Sequence, residues 1–257
     1  MSRRRVDLAY GPHRGQVGEL WLPGGTRDAV PVVALLHGGF WHAPYSKRLM
    51  HRLAADVTQR GWAAWNVEYR RVGRFGGGGG WPATFADVAA ALDHVAVLPG
   101  VDPARVAICG HSAGAQLALW CAGPRHLPGG PALAGIVRPR AVVSLAGVLD
   151  LVRGAELGLG RGAIPALLGG GPGAVPERYA AASPIDLLPL GVDQVIVHGE
   201  EDAVVPPAMS DRYVKAAADA GDPIVLESVP ALGHLAMIHP GRAAWRVAAA
   251  HLERLLG

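Results

Sequence analysis

The apolar residues of this chain fall into two kinds of run, and the two kinds alternate. Residues 30–36 contain Val32, Val33, Ala34, Leu35 and Leu36 without a break. Short runs of similar character recur at 62–69, 105–109, 141–146, 194–197 and 224–229. Unbroken runs of this length predict strands buried on both faces, the pattern of a mostly parallel sheet. Between them the apolar positions lie three or four apart. In 46–60, Leu49, Leu53 and Val57 repeat at i, i+4, and Gly61 follows as a stop. In 84–97, Phe85, Val88, Leu92 and Val95 form one helical stripe, with Thr84 placed to cap it. Residues 113–121, 207–220 and 242–256 also read as helices. Residues 16–22 alternate polar with apolar after turn signals at Gly11-Pro12 and Gly15, which predicts an antiparallel edge hairpin. Strand followed by helix throughout predicts an α/β fold built on a doubly wound, mostly parallel sheet.

Residues 151–188 break this beat. They are rich in Gly, Ala, Leu and Pro, with short helices expected at 164–168 and 176–182. A structureless loop of that length is uncommon unless functional, so a small cap inserted over the strand ends is expected. The rest of 1–257 reads as one domain. A run of five glycines, Gly76 to Gly80, follows the strand at 62–69 and leads to Trp81-Pro82. At the carboxyl end of a strand such a loop borders the place where open α/β sheets bind ligands, and Trp81 is then either a pocket wall or a packing residue.

Composition narrows the function. Half the residues are hydrophobic and 18% are charged, below the usual ~25%, so the chain builds a large core and little surplus charged surface. Net charge is only +3 and the arginines are scattered, which excludes the basic stripe of a nucleic-acid binder. Cys109 and Cys121 show neither metal-ligand spacing nor a disulfide framework. The basic Met1-Ser2-Arg3-Arg4-Arg5 has no apolar region after it, so neither a signal peptide nor a membrane span is expected and the default location is the cytoplasm.

The chemistry centres on Gly110-His111-Ser112-Ala113-Gly114, which joins the strand at 105–109 to the helix at 113–121. The pentapeptide alone also fits a strand-to-helix turn with a capping serine. In this context Gly-x-Ser-x-Gly is a nucleophile elbow, which lifts a serine hydroxyl to a strand tip and aims a helix N-terminus at it. The strand at 30–36 runs into His37-Gly38-Gly39-Phe40-Trp41, where paired glycines leave backbone N–H groups bare; His37 reads as a brace for that loop rather than a base. Asp202 follows the strand at 194–197 and leads through Val204-Val205-Pro206 into a helix. It is preferred as the acid over Glu200, Glu201 and Asp150. His234 follows the last strand behind Gly233 and is preferred over His239 as the base. Serine, acid and histidine come in the order of the hydrolases that use this elbow. An imidazole must take the serine proton, and a carboxylate must hold that imidazole in one tautomer.

On these residues the chain resembles the α/β-hydrolase superfamily over essentially its whole length. Within it, His37-Gly38-Gly39-Phe40-Trp41 and Gly110-His111-Ser112-Ala113-Gly114 are similar to the His-Gly-Gly-Tyr-Trp and Gly-His-Ser-Ala-Gly of the kynurenine formamidase (arylformamidase) and related esterase branch, from which Phe40 departs. Tyr10-Gly11-Pro12 and Ser183-Pro184 also resemble that branch. The resemblance implies oxyanion donors on the backbone of Gly39, Phe40 and Ala113. It implies a serine hydrolase that cleaves small carboxylic esters or aryl formamides through an acyl-enzyme, with no cofactor or metal. Phe40, Trp41 and Trp81 are the expected pocket walls. The partner is a small-molecule ester or amide; no nucleic acid or membrane is expected, and a homo-oligomer is left open. Two other readings remain: a peptidase or acyl-aminoacyl hydrolase, which the short chain without a propeller domain disfavours, and a non-catalytic binding protein on the same fold.

Overall fold

The structure, a computed structural model, describes residues 4–25 and 28–257. Residues 1–3 of the basic N-terminal stretch lie outside the described residues. Eight strands form one sheet: β1 Arg4–Ala9, β2 Val17–Leu22, β3 Val30–Leu36, β4 Ala63–Val67, β5 Val101–His111, β6 Ala141–Leu145, β7 Asp193–Gly199 and β8 Ile224–Val229. Their order is β1-β2-β4-β3-β5-β6-β7-β8. The β1–β2 and β2–β4 pairs are antiparallel and all others are parallel.

Successive side chains of a strand point to opposite faces, and in the central strands β3, β4 and β6 both faces are buried. Val32, Ala34, Leu36, Val106, Ile108 and Val142 belong to one buried cluster; Val33, Leu35, Ala107, Cys109 and Val143 belong to the other. Helices α2 (Ala83–Asp93), α3 (Ala113–Ala122) and α7 (Ala208–Asp219) cover the first face with Phe85, Leu117, Trp120 and Tyr213. Helices α1 (His51–Gln59) and α8 (Ala243–Leu256) cover the second with Leu53, Val57, Trp245 and Leu252. Trp245 Nε1 donates to Asp56 Oδ2 at 2.7 Å and locks these two helices together.

The chain leaves β3 for β4 on one side and returns to β5 on the other. That reversal makes a switch point at the carboxyl ends of β3 and β5, where open α/β sheets form a crevice. Residues 151–187 carry α4 (Leu151–Glu156), α5 (Ala163–Leu168) and α6 (Pro176–Ala182) near this edge.

Two local expectations change. Thr84 does not cap α2: it sits inside the helix, and its hydroxyl accepts from Gly80 N at 2.8 Å and donates to Arg70 O at 2.7 Å. The five-glycine run is folded down on its own chain, with Gly79 N donating to Arg71 O and Arg71 N to Gly76 O. A Cβ at Gly76 would lie 1.9 Å from Arg71 O, so glycine is needed there for close backbone approach.

Candidate active site

Ser112 joins β5 to α3 with φ 54 and ψ −119, a conformation L-residues rarely adopt. Strain of this kind costs on the order of 1–3 kcal/mol and persists only where surroundings enforce it. Here they do. A Cβ at Gly110 would stand 2.1 Å from Gly114 O, and one at Gly114 would stand 2.2 Å from Leu36 O. Two glycines therefore let the elbow close, while Ser112 N–H is tied to Leu145 O of β6 at 2.8 Å.

The loop after β3 is bent just as hard. Gly39, Phe40 and Trp41 have φ of 107, 52 and 57 in succession. Among the described residues, the N–H groups of Gly39, Phe40 and Ala113 have no protein acceptor. His37 braces this loop from behind. It is fully buried and stacks on Tyr69 at 4.3 Å between ring centroids. Its Nε2 lies 3.0 Å from Glu68 Oε1, and Tyr69 Oη donates to the His37 carbonyl at 2.6 Å. Burial alone would raise the Glu68 carboxyl; the hydrogen bond and charge of His37, then the Arg71 guanidinium, outweigh it and hold the group below its ordinary range.

The acid turn after β7 brings Asp202 to the loop after β8. His234 Nδ1 donates to Asp202 Oδ2 at 2.6 Å, and the other carboxylate oxygen accepts from Val204 N at 2.8 Å and Val205 N at 3.0 Å. Burial pushes the Asp202 carboxyl up, but the hydrogen bonds from His198, His234 and Val205 N–H and the charge of His234 prevail and hold it well below the usual carboxylate range. The competitors lie elsewhere. Glu200, Glu201 and His239 are exposed. Asp150 caps α4 through Arg153 N at 2.8 Å and pairs with Arg212 Nε at 2.8 Å.

Ser112 and His234 face one cavity of about 220 Å³, closed by Gly39, Phe40, Tyr45, Leu49, His111, Val204 and Leu235. No hydrogen bond joins Ser112 to His234 among the described residues; such bonds often tighten only with substrate bound. Larger surface clefts exist, one of about 650 Å³ beside Asp150 and Arg212, but no serine or cysteine lines them.

Of the expected walls, only Phe40 lines the cavity. Trp41 is fully buried behind the loop, its Nε1 donating to Gln116 Oε1 at 3.1 Å. Trp81 packs edge-on against Phe85 at 5.2 Å and is bound through its backbone to Leu167 O. Tyr45, Leu49, Val204 and Leu235 take their place; Leu49 is marked only as part of a helical stripe, and no sequence pattern marks the other three. Tyr45 is admitted because Gly39 has no side chain; a Cβ there would lie 2.2 Å from the Tyr45 ring. Two histidines also join the site. His198 stands four residues before Asp202, a spacing that could have flagged it. His111 sits beside Ser112; burial first and the His234 charge second push its pKa down to about 3.

Burial drives the Cys109 thiol far up and the Cys121 thiol up to about 12, so both are unreactive packing residues. Among the described residues no group of three or more His, Cys, Asp or Glu could hold a metal ion, and no helix is long and apolar enough to cross a membrane.

A parallel sheet with this switch point and this order of loops defines an α/β-hydrolase. The chain belongs to the BD-FAE family, whose model matches residues 19–216. It is 29% identical over 235 residues to Esterase LipQ of Mycobacterium tuberculosis, covering 84% of this chain and 53% of that protein, so it spans about half the length of this curated relative. Among solved structures it is similar to a truncated carbohydrate esterase from gut microbiota, with TM-score 0.82 and 20% identity over 99% of this chain and 96% of that one. It is also similar to a thermophilic esterase from the Planctomycetes species Thermogutta terrifontis, with TM-score 0.78 and 22% identity over 98% and 91% of the two chains.

Proposed function

We propose that this chain is a serine hydrolase that cleaves small carboxylic esters or aryl formamides through an acyl-enzyme. The observation that carries the reading is the 2.6 Å Asp202–His234 bond facing the strained Ser112 across one cavity. Membership of the BD-FAE family and similarity to an esterase support ester chemistry. Ser112 Oγ attacks the carbonyl carbon while His234 Nε2 takes its proton. Asp202 holds Nδ1–H and balances the charge the ring acquires. The N–H groups of Gly39, Phe40 and Ala113, with the N-terminus of α3, receive the developing oxyanion. His234 then returns the proton to the departing alcohol or amine. Water repeats the sequence to release the acid.

The cavity walls set the substrate. Around Ser112 they are aliphatic or aromatic and carry no acidic or basic group other than histidine. At about 220 Å³ the space is below the roughly 300–1,000 Å³ of clefts that enclose drug-sized ligands. Short neutral acyl groups fit this description; charged acids do not. Labelling by a fluorophosphonate probe, lost in Ser112→Ala, tests the nucleophile. Rates on nitrophenyl esters beside an aryl formamide test the substrate class. An unlabelled wild-type protein, or a labelled Ser112→Ala, would refute the reading.

A further inference from the structure

Behind Asp202 lies a second serine–histidine pair that the hydrolytic steps above do not use. His198, on β7, is 1% exposed, and Ser210, in the first turn of α7, is fully buried. His198 Nε2 is 3.0 Å from Val205 O and 3.3 Å from Asp202 Oδ2, the same carboxylate oxygen that accepts from His234. Both neighbours of Nε2 are acceptors, so this nitrogen carries the proton. Nδ1 then accepts, and the Ser210 hydroxyl stands 2.7 Å away to donate. The tautomer is fixed from behind, as an orienting partner fixes any working imidazole.

Resting on the proposed roles of Ser112, Asp202 and His234, we propose that His198, oriented by Ser210, is a positioning residue that shares the Asp202 carboxylate with His234 and so sets the pH at which His234 can act as a base. No proton moves along this chain. The Nε2–H of His198 draws charge from Oδ2, which makes the carboxylate a weaker acceptor for His234 and disfavours the imidazolium. Without it the carboxylate pulls harder on His234 and the imidazolium persists to higher pH. The low pKa of Asp202 agrees, since the His198 ring beside Oδ2, together with His234, holds the carboxyl well below its ordinary range against the effect of burial. The other ionisable group packed against this cluster is His111 on β5, whose ring centroid is 4.6 Å from that of His234 and whose Nε2 meets the His234 carbonyl at 3.1 Å. It stays neutral across the working range. From α7 only the Ser210 hydroxyl reaches His198, and β8 sets Ser228 beside it in register.

The test is kcat/KM against pH for wild type, His198→Phe, His198→Gln and Ser210→Ala, with circular dichroism to confirm folding and Ser112→Ala as the background. His198→Phe keeps the ring volume and removes the donor. Its acid limb should move up by about one pH unit, so that activity on the acid side falls about tenfold more than on the plateau. His198→Gln, which keeps a donor near Nε2, should restore the limb. Ser210→Ala should move it in the same direction by less. A lowered plateau with an unmoved limb in His198→Phe would make the pair merely structural and overturn the proposal. If His198→Phe does not fold, an unmoved limb in Ser210→Ala overturns it. Full activity in Ser112→Ala would instead overturn the triad reading beneath it.

Discussion

A single methyl group at Gly114 should damage stability and catalysis together. The added carbon would lie 2.2 Å from Leu36 O and 2.4 Å from His37 O, an ångström or more short of the 3.4 Å where ordinary contact begins. Neither oxygen can rotate away, because both belong to the backbone at the end of β3. The helix α3 must therefore withdraw from β3. Overpacking of this sort costs typically 1–3 kcal/mol, and more where backbone is struck. In a domain of this size each kcal/mol lowers Tm by about 2–4 °C, so a fall of roughly 2–12 °C is expected. The seam that opens also separates Ala113 N–H, on α3, from Gly39 and Phe40 N–H, on the loop after β3. A displacement near 1 Å between groups that hold one transition state can cost about 10²-fold in kcat. The assay pairs thermal melts with initial rates on nitrophenyl acetate. Gly171→Ala is the control: nothing stands within 4 Å of its Cβ and its φ is not in the left-handed range, so it should be neutral or slightly stabilising. If Gly114→Ala melted within about a degree of wild type and kept most of its activity, the close approach of α3 to β3 would be wrong.

Ser112→Ala should lower kcat by about 10⁴–10⁶-fold with the melt unchanged. Asp202→Asn should cost about 10³–10⁴-fold, and Glu201→Gln, at an exposed position, almost nothing; the reverse order would reassign the acid. His111 should make stability pH-dependent: folded, it takes a proton only near 3, whereas the unfolded side chain takes one near ~6.5. Between those values the unfolded chain binds the extra proton, so stability falls as pH drops through that window. Tm of His111→Gln should fall less steeply from pH ~6.5 downward, and parallel slopes would refute this. Across nitrophenyl esters kcat/KM should be highest from acetate to about butyrate and fade gradually, since each methylene is worth only about 1–3 kcal/mol; a maximum at decanoate or longer would show an open pocket.

The strands and most helices were legible because periodicity reports burial, and the central strands here are buried on both faces. Ser112, Asp202 and His234 were legible for a different reason: each stands just past the end of a strand, and a parallel sheet brings such positions to one edge. The pocket was not legible in the same way. Phe40 and Trp41 are adjacent and both aromatic, yet one ring ends in the cavity and the other in the core. Their direction follows from φ of 52 and 57, which apolar patterning does not encode. Thr84 shows the same limit. A threonine ahead of an apolar stripe suits an N-cap, but Thr84 sits within the first turn of the helix, where its hydroxyl accepts from Gly80 N and donates to Arg70 O instead. Val204 lies in the turn after β7 and Leu235 in a short 3-10 helix after β8, and only the tertiary meeting of these two segments makes them a wall.

What holds the loop after β3 in so unfavourable a shape is the burial of Trp41. Left-handed backbone at Phe40 and Trp41, with that at Ser112, represents strain of about 1–3 kcal/mol at each residue. Full burial of a large side chain returns roughly 1.5–3 kcal/mol, which offsets about one such residue. The remainder is met by hydrogen bonds that pin the loop at several points. Trp41 Nε1 reaches Gln116 on α3, whose Nε2 reaches Ala182 O on α6. Val72 N donates to Trp41 O at 2.8 Å, and His42 N to Gly39 O at 3.0 Å. Trp41 thus serves the cavity without touching it: through Gln116 its indole ties the loop after β3 to α3 and α6. In the proposed mechanism the bare N–H groups of Gly39 and Phe40, held in place by that anchor, would need no reorganisation when charge develops in front of them.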